Sequence, residues 1–336
     1  MVLQGSGVWW KALGWLLLFF SAAAGGAVFG QTVETVRFSY GLGREALPAV
    51  AAIEEGFFFR QGLNVSGLPV SPMATTIQSL KSGATDFATL PARGLILVGQ
   101  MRLPVRIVAL SGWGLNLEVL VPAAGNRNRS MKDLGGRVIG IDLESEAYPH
   151  FIRYLYFLGL PHSGFQFRHS DNAELAEAFT RGRIAAAVVP GNVSQRLVTE
   201  KIASRLVSHG EFWKVTYGVN PSALVVRKDF LDTRPQVVER FVRAWAQGLR
   251  FSANNLDTAS HLLRRFYERQ GVNVPVDVVR PYVELARYDR CAWEKADTLD
   301  VEYSAWALRQ VGILSETIDI AGLVDNRFIL KAAPQC

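Results

Sequence analysis

Apolar residues at helical spacing, followed by a glycine, a short apolar run and a proline, occur twice in this chain, at residues 73–91 and 173–190. A glycine suits the end of a helix because it lacks Cβ, and the apolar run after it indicates a buried strand. The shared plan predicts two similar α/β lobes with a cleft between them. The positions that carry it are Ile77, Leu80, Gly83 and Pro91, then Leu175, Phe179, Gly182 and Pro190.

Strand and helix patterns alternate along most of the chain. The pattern predicts helices at 45–61 and 148–158, and a long amphipathic helix whose apolar stripe runs from Val238 to Leu249. The alternation predicts an α/β protein with mostly parallel sheets covered on both faces. Strands are predicted at 36–40, 63–70, 84–90, 105–110, 117–121, 137–142, 165–168, 205–208 and 223–226.

The loop at 122–130, which is rich in Gly, Asn and Arg, indicates a boundary between lobes. Together with the returning strand at Ala223 it predicts a discontinuous architecture. One lobe comprises 33–120 and 222–336, and the other comprises 122–220. The crossings near Val119 and Gly218 would then form the hinge.

The N-terminus has the features of an export signal. Lys11 precedes the apolar stretch 12–20, and small residues follow up to Gly30. A basic start, an apolar core and small residues near a cut define a secretory signal peptide, which predicts cleavage after Gly30 and a periplasmic protein. The alternative is an uncleaved membrane anchor, since 12–30 approaches the roughly 20 residues that span a bilayer.

Composition agrees with one exported globular protein. Removal of residues 1–30 deletes one Lys and no acid, so the formal charge of +6 falls to +5. No run of Lys or Arg is present, and nucleic-acid binding normally shows a clustered basic patch. Only Cys291 and Cys336 occur, so there is no disulfide framework, although the two could pair in an oxidising compartment.

Four segments in their order along the chain resemble a known family: Tyr40-Gly41, Glu54-Glu55-Gly56-Phe57, the run 80–88 and the run 130–140. They are similar to the periplasmic substrate-binding proteins of nitrate, sulfonate and taurine ABC importers, a group that includes the aliphatic-sulfonate binders and NMT1/THI5-like proteins. The similarity continues through 225–230 to 322–328 and covers residues 33–330. It implies two Rossmann-like lobes that close like a hinge on a small molecule.

The resemblance also implies a function. We expect a monomeric, non-catalytic solute receptor that delivers a small organic molecule to an ABC permease and its ATPase, with no cofactor. The alternative from another class is an extracytoplasmic sensor lobe that binds a ligand and signals to a partner.

The strand-end loops are the expected binding site, because ligands of open α/β sheets collect beyond the carboxyl ends of strands, near helix N-termini. Arg44 could pair with an anionic ligand group or with Glu45, and Thr75 and Thr76 could bind ligand or cap their helix. Trp113 and Tyr148 could stack on a ligand. The complete set of candidates is Gly43, Arg44, Thr75, Thr76, Thr89, Trp113, Glu144, Ser145, Tyr148 and Asn192.

The turn at 143–148 departs from the family pattern. Many relatives have a Gly-Ser-Asn-Ala-like loop where this chain has Glu144 and Glu146. Two carboxylates beside the pocket would repel a simple anion unless they are solvated or paired. The departure therefore disfavours inorganic nitrate and favours a zwitterion, an amine or a larger heterocycle, with sulfonates also among the candidates.

The signals for an enzyme are weak. Gly41-Leu42-Gly43-Arg44-Glu45-Ala46 follows a strand and fits a variant dinucleotide fingerprint, but the second strand offers no acidic residue for a ribose. The five His residues lack metal-ligand spacing, and no Gly-x-Ser-x-Gly elbow appears. Some NMT1/THI5-like relatives make a thiamine pyrimidine, but they carry a cysteine-rich motif that is absent here. We therefore expect no catalytic and no metal-ligating residues.

Overall fold

The structure, a computed structural model, describes residues 33–43, 45–71, 73–114, 116–125, 127–171 and 174–334. The predicted signal peptide at 1–30, Arg44 and Cys336 lie outside these residues. In the described part of the chain, no helix is long and apolar enough to cross a membrane.

Ten strands alternate with helices in the first two thirds of the described chain. They are β1 (Glu34–Tyr40), β2 (Leu63–Pro69), β3 (Phe87–Pro91), β4 (Val105–Gly112), β5 (Leu117–Pro122), β6 (Val138–Ile141), β7 (Gln166–His169), β8 (Ala186–Pro190), β9 (Ala203–Val207) and β10 (Ser222–Arg227).

Fourteen α-helices are described, and the last six of them follow β10 without a further strand. They are α1 (Ala46–Glu54), α2 (Phe57–Arg60), α3 (Met73–Ser82), α4 (Ala92–Gln100), α5 (Ala147–Phe157), α6 (Leu175–Thr180), α7 (Gly191–Thr199), α8 (His209–Thr216), α9 (Lys228–Thr233), α10 (Pro235–Asn254), α11 (Leu256–Arg269), α12 (Val276–Leu285), α13 (Lys295–Gln310) and α14 (Arg327–Ala332).

The strands form two five-stranded sheets of the same topology. The first has the order β2-β1-β3-β10-β4 and the second has the order β7-β6-β8-β5-β9. In each sheet the first three strands are parallel, whereas the fourth runs antiparallel to both neighbours. This arrangement confirms the predicted α/β fold with two Rossmann-like lobes.

The antiparallel strands are the ones that connect the lobes. Strand β5 follows β4 of the first sheet but pairs with β8 and β9 in the second, and β10 returns to the first sheet. The chain therefore crosses between β4 and β5 at 113–116, upstream of Val119 and of the predicted boundary at 122–130. The two crossings touch, because Gly114 N donates a hydrogen bond to Val219 O at 2.8 Å. The lobe limits given above otherwise stay a prediction.

The repeated sequence plan occupies equivalent places in the two sheets. Gly83 and Gly182 have φ values of +76° and +62°, the left-handed conformation expected after α3 and α6. Strand β3 pairs with β1 and β10, just as β8 pairs with β6 and β5. The repeat thus places one strand at the centre of each sheet.

One predicted helix is divided in two. The segment 45–61 breaks into α1 and α2 at Gly56, whose φ of +68° lies in the left-handed region. The interruption lets the aromatic residues after it turn into the core, where the Phe58 and Phe241 ring centres lie 4.5 Å apart.

The C-terminal helices cover both lobes. Helix α10 packs on α1 of the first lobe, whereas α13 packs on both α4 and α5. Arg153 of α5 and Asp300 of α13 form an ion pair of 2.7 Å, and both side chains are 3% exposed. The carboxylate of Asp300 also accepts the backbone N–H groups of Val219 and Asn220 at the second crossing. One side chain therefore links the second lobe, the crossing and the C-terminal helices.

Cys291 is buried and disulfide-bonded.

Candidate functional site

Two turns of equal length lead from a strand into a helix on the two sides of the cleft. The first is 41–45, between β1 and α1, and the second is 142–146, between β6 and α5. Each ends in the same short motif, Glu45-Ala46-Leu47-Pro48 in the first lobe and Glu146-Ala147-Tyr148-Pro149 in the second. A second equivalent pair follows the central strands, since Pro91 precedes α4 and Pro190 precedes α7.

A cavity of about 220 Å³ lies where these elements meet, and we call it the acidic cavity. Glu45, Pro91, Glu146 and Pro190, the residues that immediately precede the four helices, all line it. The wall also includes the starts of the two connecting strands. Its other members are Gly43, Ser222 and Tyr282, then Asp142, Ser145, Ala147 and Val188, and finally Asn116, Leu117 and Asn220 near the crossings.

Two polar side chains in this wall are buried without hydrogen bonds to the rest of the described protein. Both amide atoms of Asn116, which is 8% exposed, lack a partner, and so does the hydroxyl of Ser222, which is fully buried. Buried polar groups are normally hydrogen-bonded, and leaving one unsatisfied costs about 1–3 kcal/mol. A binding site gives these groups a reason to be present, because a ligand would complete their hydrogen bonds.

The Asn116 amide owes its place to a glycine. A Cβ on Gly191, the first residue of α7, would lie 2.3 Å from Asn116 Oδ1 and 2.7 Å from Nδ2. The space at this helix start is therefore available only because the residue has no side chain.

Glycines shape the first turn in the same way. A Cβ on Gly41 or Gly43 would lie 2.3 or 2.5 Å from a carboxylate oxygen of Glu45, so this side chain folds back over its own turn. Burial raises the pKa of Tyr267 well above its ordinary value, and the nearby Tyr282 and Glu45 raise it further. The Glu45 carboxylate therefore lines the acidic cavity and also influences Tyr267.

The second turn is held by its own polar groups. Asp142 Oδ1 accepts the backbone N–H of Glu144 at 3.0 Å, and Ser145 Oγ donates to the Asp142 carbonyl at 3.0 Å. Arg93 of α4 faces this turn from the first lobe. Burial lowers the pKa of the Arg93 guanidinium, whereas the charges of Glu146, Glu144 and Asp142 raise it. No ion pair within 4.0 Å joins Arg93 to these acids among the described residues, and Arg93 does not line the acidic cavity.

A second cavity of about 330 Å³, which we call the apolar cavity, adjoins the first. The two share Gly43, Pro190 and Tyr282 as common walls. The remaining wall is mostly aliphatic or aromatic and comes largely from α11, α12 and the segment between them: Leu42, Asn192, Tyr267, Val272, Val274, Val278 and Val279. The site thus has a polar end between the lobes and an apolar end under the C-terminal helices.

Some of the residues predicted for the site lie in these walls. Gly43 lines both cavities, Ser145 lines the acidic one and Asn192 lines the apolar one. Glu144 stands beside them, opposite Arg93. Arg44 lies outside the described residues, so its role stays a prediction.

Other predicted residues have structural surroundings instead. Thr89 is buried, and its hydroxyl accepts the Gly41 N–H at 3.3 Å. Tyr148 is buried, and its hydroxyl lies 3.1 Å from His162 Nε2. Helix α3 begins at Met73, so exposed Thr75 and buried Thr76 lie inside its first turn and do not cap it.

Trp113, at the first crossing, is held by side chains that follow α12. Its indole N–H donates to Asp289 at 2.9 Å, and the guanidinium groups of Arg287 and Arg290 lie 5.0 and 5.2 Å from the ring centre. It lines neither the acidic nor the apolar cavity.

Asp142 and Ser222 were missed at the sequence level. Asn116 and Glu146 lie in strand-end loops that were expected at the site, but neither they nor Glu45 were chosen as binding residues. The repeated Glu-Ala-x-Pro motif was a usable signal for the two glutamates. Asn116 and Ser222 had no comparable signal, because their importance comes from burial without hydrogen bonds.

Comparison with known proteins supports the resemblance. A family model described as NMT1/THI5 like matches residues 44–259. A search of curated proteins returned no match.

Solved structures of the same fold include the periplasmic aliphatic sulphonate binding protein SsuA from Escherichia coli, with a TM-score of 0.73 and 13% identity over 86% of this chain and 97% of that one. The alkanesulfonate-binding protein SsuA from Xanthomonas axonopodis pv. citri, bound to MOPS, has a TM-score of 0.68 and 15% identity over 87% and 98%. The nitrate-binding protein NrtA from Synechocystis PCC 6803 has a TM-score of 0.66 and 15% identity over 90% and 89%. At sequence identities this low, the structural similarity shows only that the fold is shared.

Proposed function

Because the chain belongs to the NMT1/THI5-like family, we propose that it is the solute-binding component of an ABC importer and that it captures a small organic molecule between its lobes. The observation that carries the proposal is the acidic cavity, whose wall contains turns from both lobes and the starts of both connecting strands. A ligand that contacts both lobes binds the closed arrangement more tightly than the open one. This difference in affinity is what shifts a hinged protein towards its closed state.

The proposal includes the ligand's route. The protein acts outside the cytoplasm, after cleavage of the segment 1–30, and passes its ligand to a permease and an ATPase in the membrane. Sulfonate and nitrate binders of the same fold support this assignment by analogy. Recovery from the periplasmic fraction of a chain that begins near Gln31 tests the location, whereas recovery of intact Met1 in the cytosol contradicts it.

A thermal-shift screen with a blocking variant tests capture between the lobes. Sulfonates, amino acids, amines and pyrimidines are screened against the wild-type protein, and each hit is repeated on Ser145→Trp, which places a large side chain in the acidic cavity. A ligand at a hundred times its Kd stabilises the fold by about 2.7 kcal/mol. We expect the shift to vanish in Ser145→Trp and to persist in the control Ser163→Trp, which changes an exposed residue of the same lobe. No hit, or a hit that Ser145→Trp leaves intact, contradicts the proposal.

A further inference from the structure

The acidic cavity carries negative charge where its architecture would otherwise favour an anion. Four helices begin at its wall, and the N-terminal end of a helix carries a partial positive charge. In this protein the residues just before α1 and α5 are Glu45 and Glu146, so the chain supplies its own carboxylates at two of the four helix starts. Asp142 adds a third carboxylate to the wall.

An incoming anion would therefore meet carboxylates of both lobes. His169 lies 3.8 Å from Asp142 with its Nδ1 accepting the Leu143 N–H, and Arg93 faces Glu144, Glu146 and Asp142 from outside the wall. This one guanidinium faces three carboxylates without an ion pair within 4.0 Å, and its Nη1 is buried without a hydrogen-bond partner among the described residues. Among the described wall residues none is Lys, Arg or His. The electrostatic balance at the wall consequently favours a positively charged group, which opposite charges at close range stabilise.

The two unsatisfied side chains form an independent observation in the same place. Asn116 offers a carbonyl oxygen and an amide N–H₂ group, and Ser222 offers a hydroxyl, all buried and without partners among the described residues. An ammonium group brings three N–H donors and no acceptor. Its donors match the side-chain oxygens of Asn116 and Ser222 as well as the carboxylates, so it gives these oxygens the hydrogen bonds that they lack, whereas the Asn116 N–H₂ group needs an acceptor from another part of the ligand.

The shape of the site extends this match to the rest of the ligand. The acidic cavity opens beside the apolar cavity, and Tyr282 stands in both walls. The valines Val272, Val274, Val278 and Val279 bound the apolar end. A ligand with its charge at one end and an apolar substituent at the other would bury both parts in matching surroundings.

We propose that the solute is a small organic amine, an inference that rests on the proposed function. Its ammonium group binds among Asp142, Glu146 and Glu45, and its apolar substituent occupies the apolar cavity. Asn116 and Ser222 complete the hydrogen bonds of the ammonium group. This ligand class differs from the sulfonate and nitrate named for the binding proteins of the same fold.

Matched probes test the charge. Calorimetry and thermal shift with phenethylamine and phenylethanesulfonate compare one apolar group carrying opposite charges. We expect the amine to bind and the sulfonate not to bind. Glu146→Gln and Asp142→Asn should each weaken amine binding by tenfold or more, whereas Glu200→Gln, an equal charge change on an exposed residue of the same lobe, should leave it unchanged.

Asn116→Leu tests the unsatisfied amide. If the amide serves the ligand, the variant binds phenethylamine at least tenfold more weakly while its unliganded melting temperature stays the same or rises, because an unsatisfied buried polar group has been removed. A fall in unliganded stability with unchanged amine affinity would assign Asn116 a structural role and overturn its part in the site.

Several outcomes separate the ligand class from the proposed function. The protein could instead bind phenylethanesulfonate, taurine or nitrate and lose this binding in Ser145→Trp or Arg44→Gln. That result overturns the proposal that the ligand is an amine, but it agrees with the proposed function as a solute receptor. Stabilisation by calcium or magnesium ions alone, reduced in Glu146→Gln, also overturns the amine. Absence of any shift across the amines and the wider screen contradicts both proposals together.

Discussion

The turn and helix at 41–54 and the turn and helix at 142–157 occupy equivalent places in the two sheets and share the Glu-Ala-x-Pro motif, yet they differ in how they hold charge. In the first turn Gly41 and Gly43 leave room for the Glu45 carboxylate to fold back. In the second, Asp142 and Glu144 stand at those positions and add carboxylates of their own. The comparison teaches that one backbone plan tolerates different numbers of carboxylates in its turns, because the sheet pairing does not depend on the turn residues.

The two helices are also anchored differently. At equivalent positions α1 carries Ala52 and α5 carries Arg153. Ala52 lies against Gly248 of α10, where a Cβ on the glycine would be 3.1 Å from that of Ala52 and 2.5 Å from the Pro48 carbonyl oxygen. Arg153 instead reaches Asp300 of α13. One lobe is fixed by close packing of small residues and the other by a buried ion pair.

A third difference lies in the central strands. Asp86 is buried and accepts the backbone N–H and the guanidinium of Arg37, which joins β1 to β3. The equivalent pair in the second lobe is Ala185 and Val138, whose backbone groups alone make the contact. These bonds give Asp86 a structural role in joining the two strands.

The largest effect is expected at the buried ion pair. Asp300→Ala leaves the 3% exposed Arg153 without its carboxylate and also removes the acceptor of Val219 and Asn220. Removing one partner of a buried pair costs about 3–5 kcal/mol, so urea unfolding should show a loss of that size. Asp232→Ala breaks an exposed pair with Lys228 and should change stability by less than about 1 kcal/mol. Equal effects of the two variants would show that the second lobe is not anchored by its ion pair.

A smaller effect is expected where the first lobe is packed. In Gly248→Ala the new Cβ meets a backbone carbonyl that has little freedom to move, and overpacking of this kind typically costs about 1–3 kcal/mol. The higher helix propensity of alanine offsets about 1 kcal/mol of this. Gly210→Ala in α8, where no atom lies within 4 Å of the new Cβ, provides the matched control and should be neutral or stabilising. Stabilisation by both substitutions would mean that the close approach of α1 and α10 can relax.

The smallest effect concerns pH and the second lobe alone. Tyr148 replaces Leu47 of the first motif and lies against His162, whose pKa is lowered by burial from an ordinary 6.5. As pH falls below 6.5 the unfolded chain binds a proton that the folded chain does not, so the unfolding free energy decreases through this window. Above pH 6.5 this contribution of His162 to the unfolding free energy is fully present. His162→Phe keeps an aromatic ring beside Phe167. In urea unfolding the variant should lose the part of the pH dependence that His162 contributes. An unchanged pH profile would assign that dependence to other groups.

Much of the fold could be predicted from local sequence signals. The glycine and proline of each repeat fixed the ends of α3, β3, α6 and β8 closely, because these residues act through their own backbone. The sequence offered six strand-end loops for the site. Residues of 41–44, 89–92, 112–116, 144–148 and 191–193 line one of the two cavities, whereas 74–76 lines neither. The break at Gly56 was missed, since the apolar pattern continues across it.

Individual side chains were harder to place from the sequence than loops. Tyr148 and Trp113 were expected at a ligand because aromatic residues often enclose one, but their hydroxyl and indole groups have partners within the protein. Thr89 follows the same pattern. Which side chain of a loop reaches a cavity depends on the direction of its Cα–Cβ bond and on its neighbours, and neither can be deduced from residue type.

By itself the sequence determined the alternation of strands and helices, the two repeated units and the family, because each depends on short-range propensity or on residue order. Only the tertiary structure decided that Asn116, Ser222 and the two glutamates share one cavity and that Arg153 meets Asp300. These groups lie far apart along the chain, and their meeting depends on how two sheets exchange a strand. Burial without hydrogen bonds, the property that marks Asn116 and Ser222, exists only after the surrounding elements have packed.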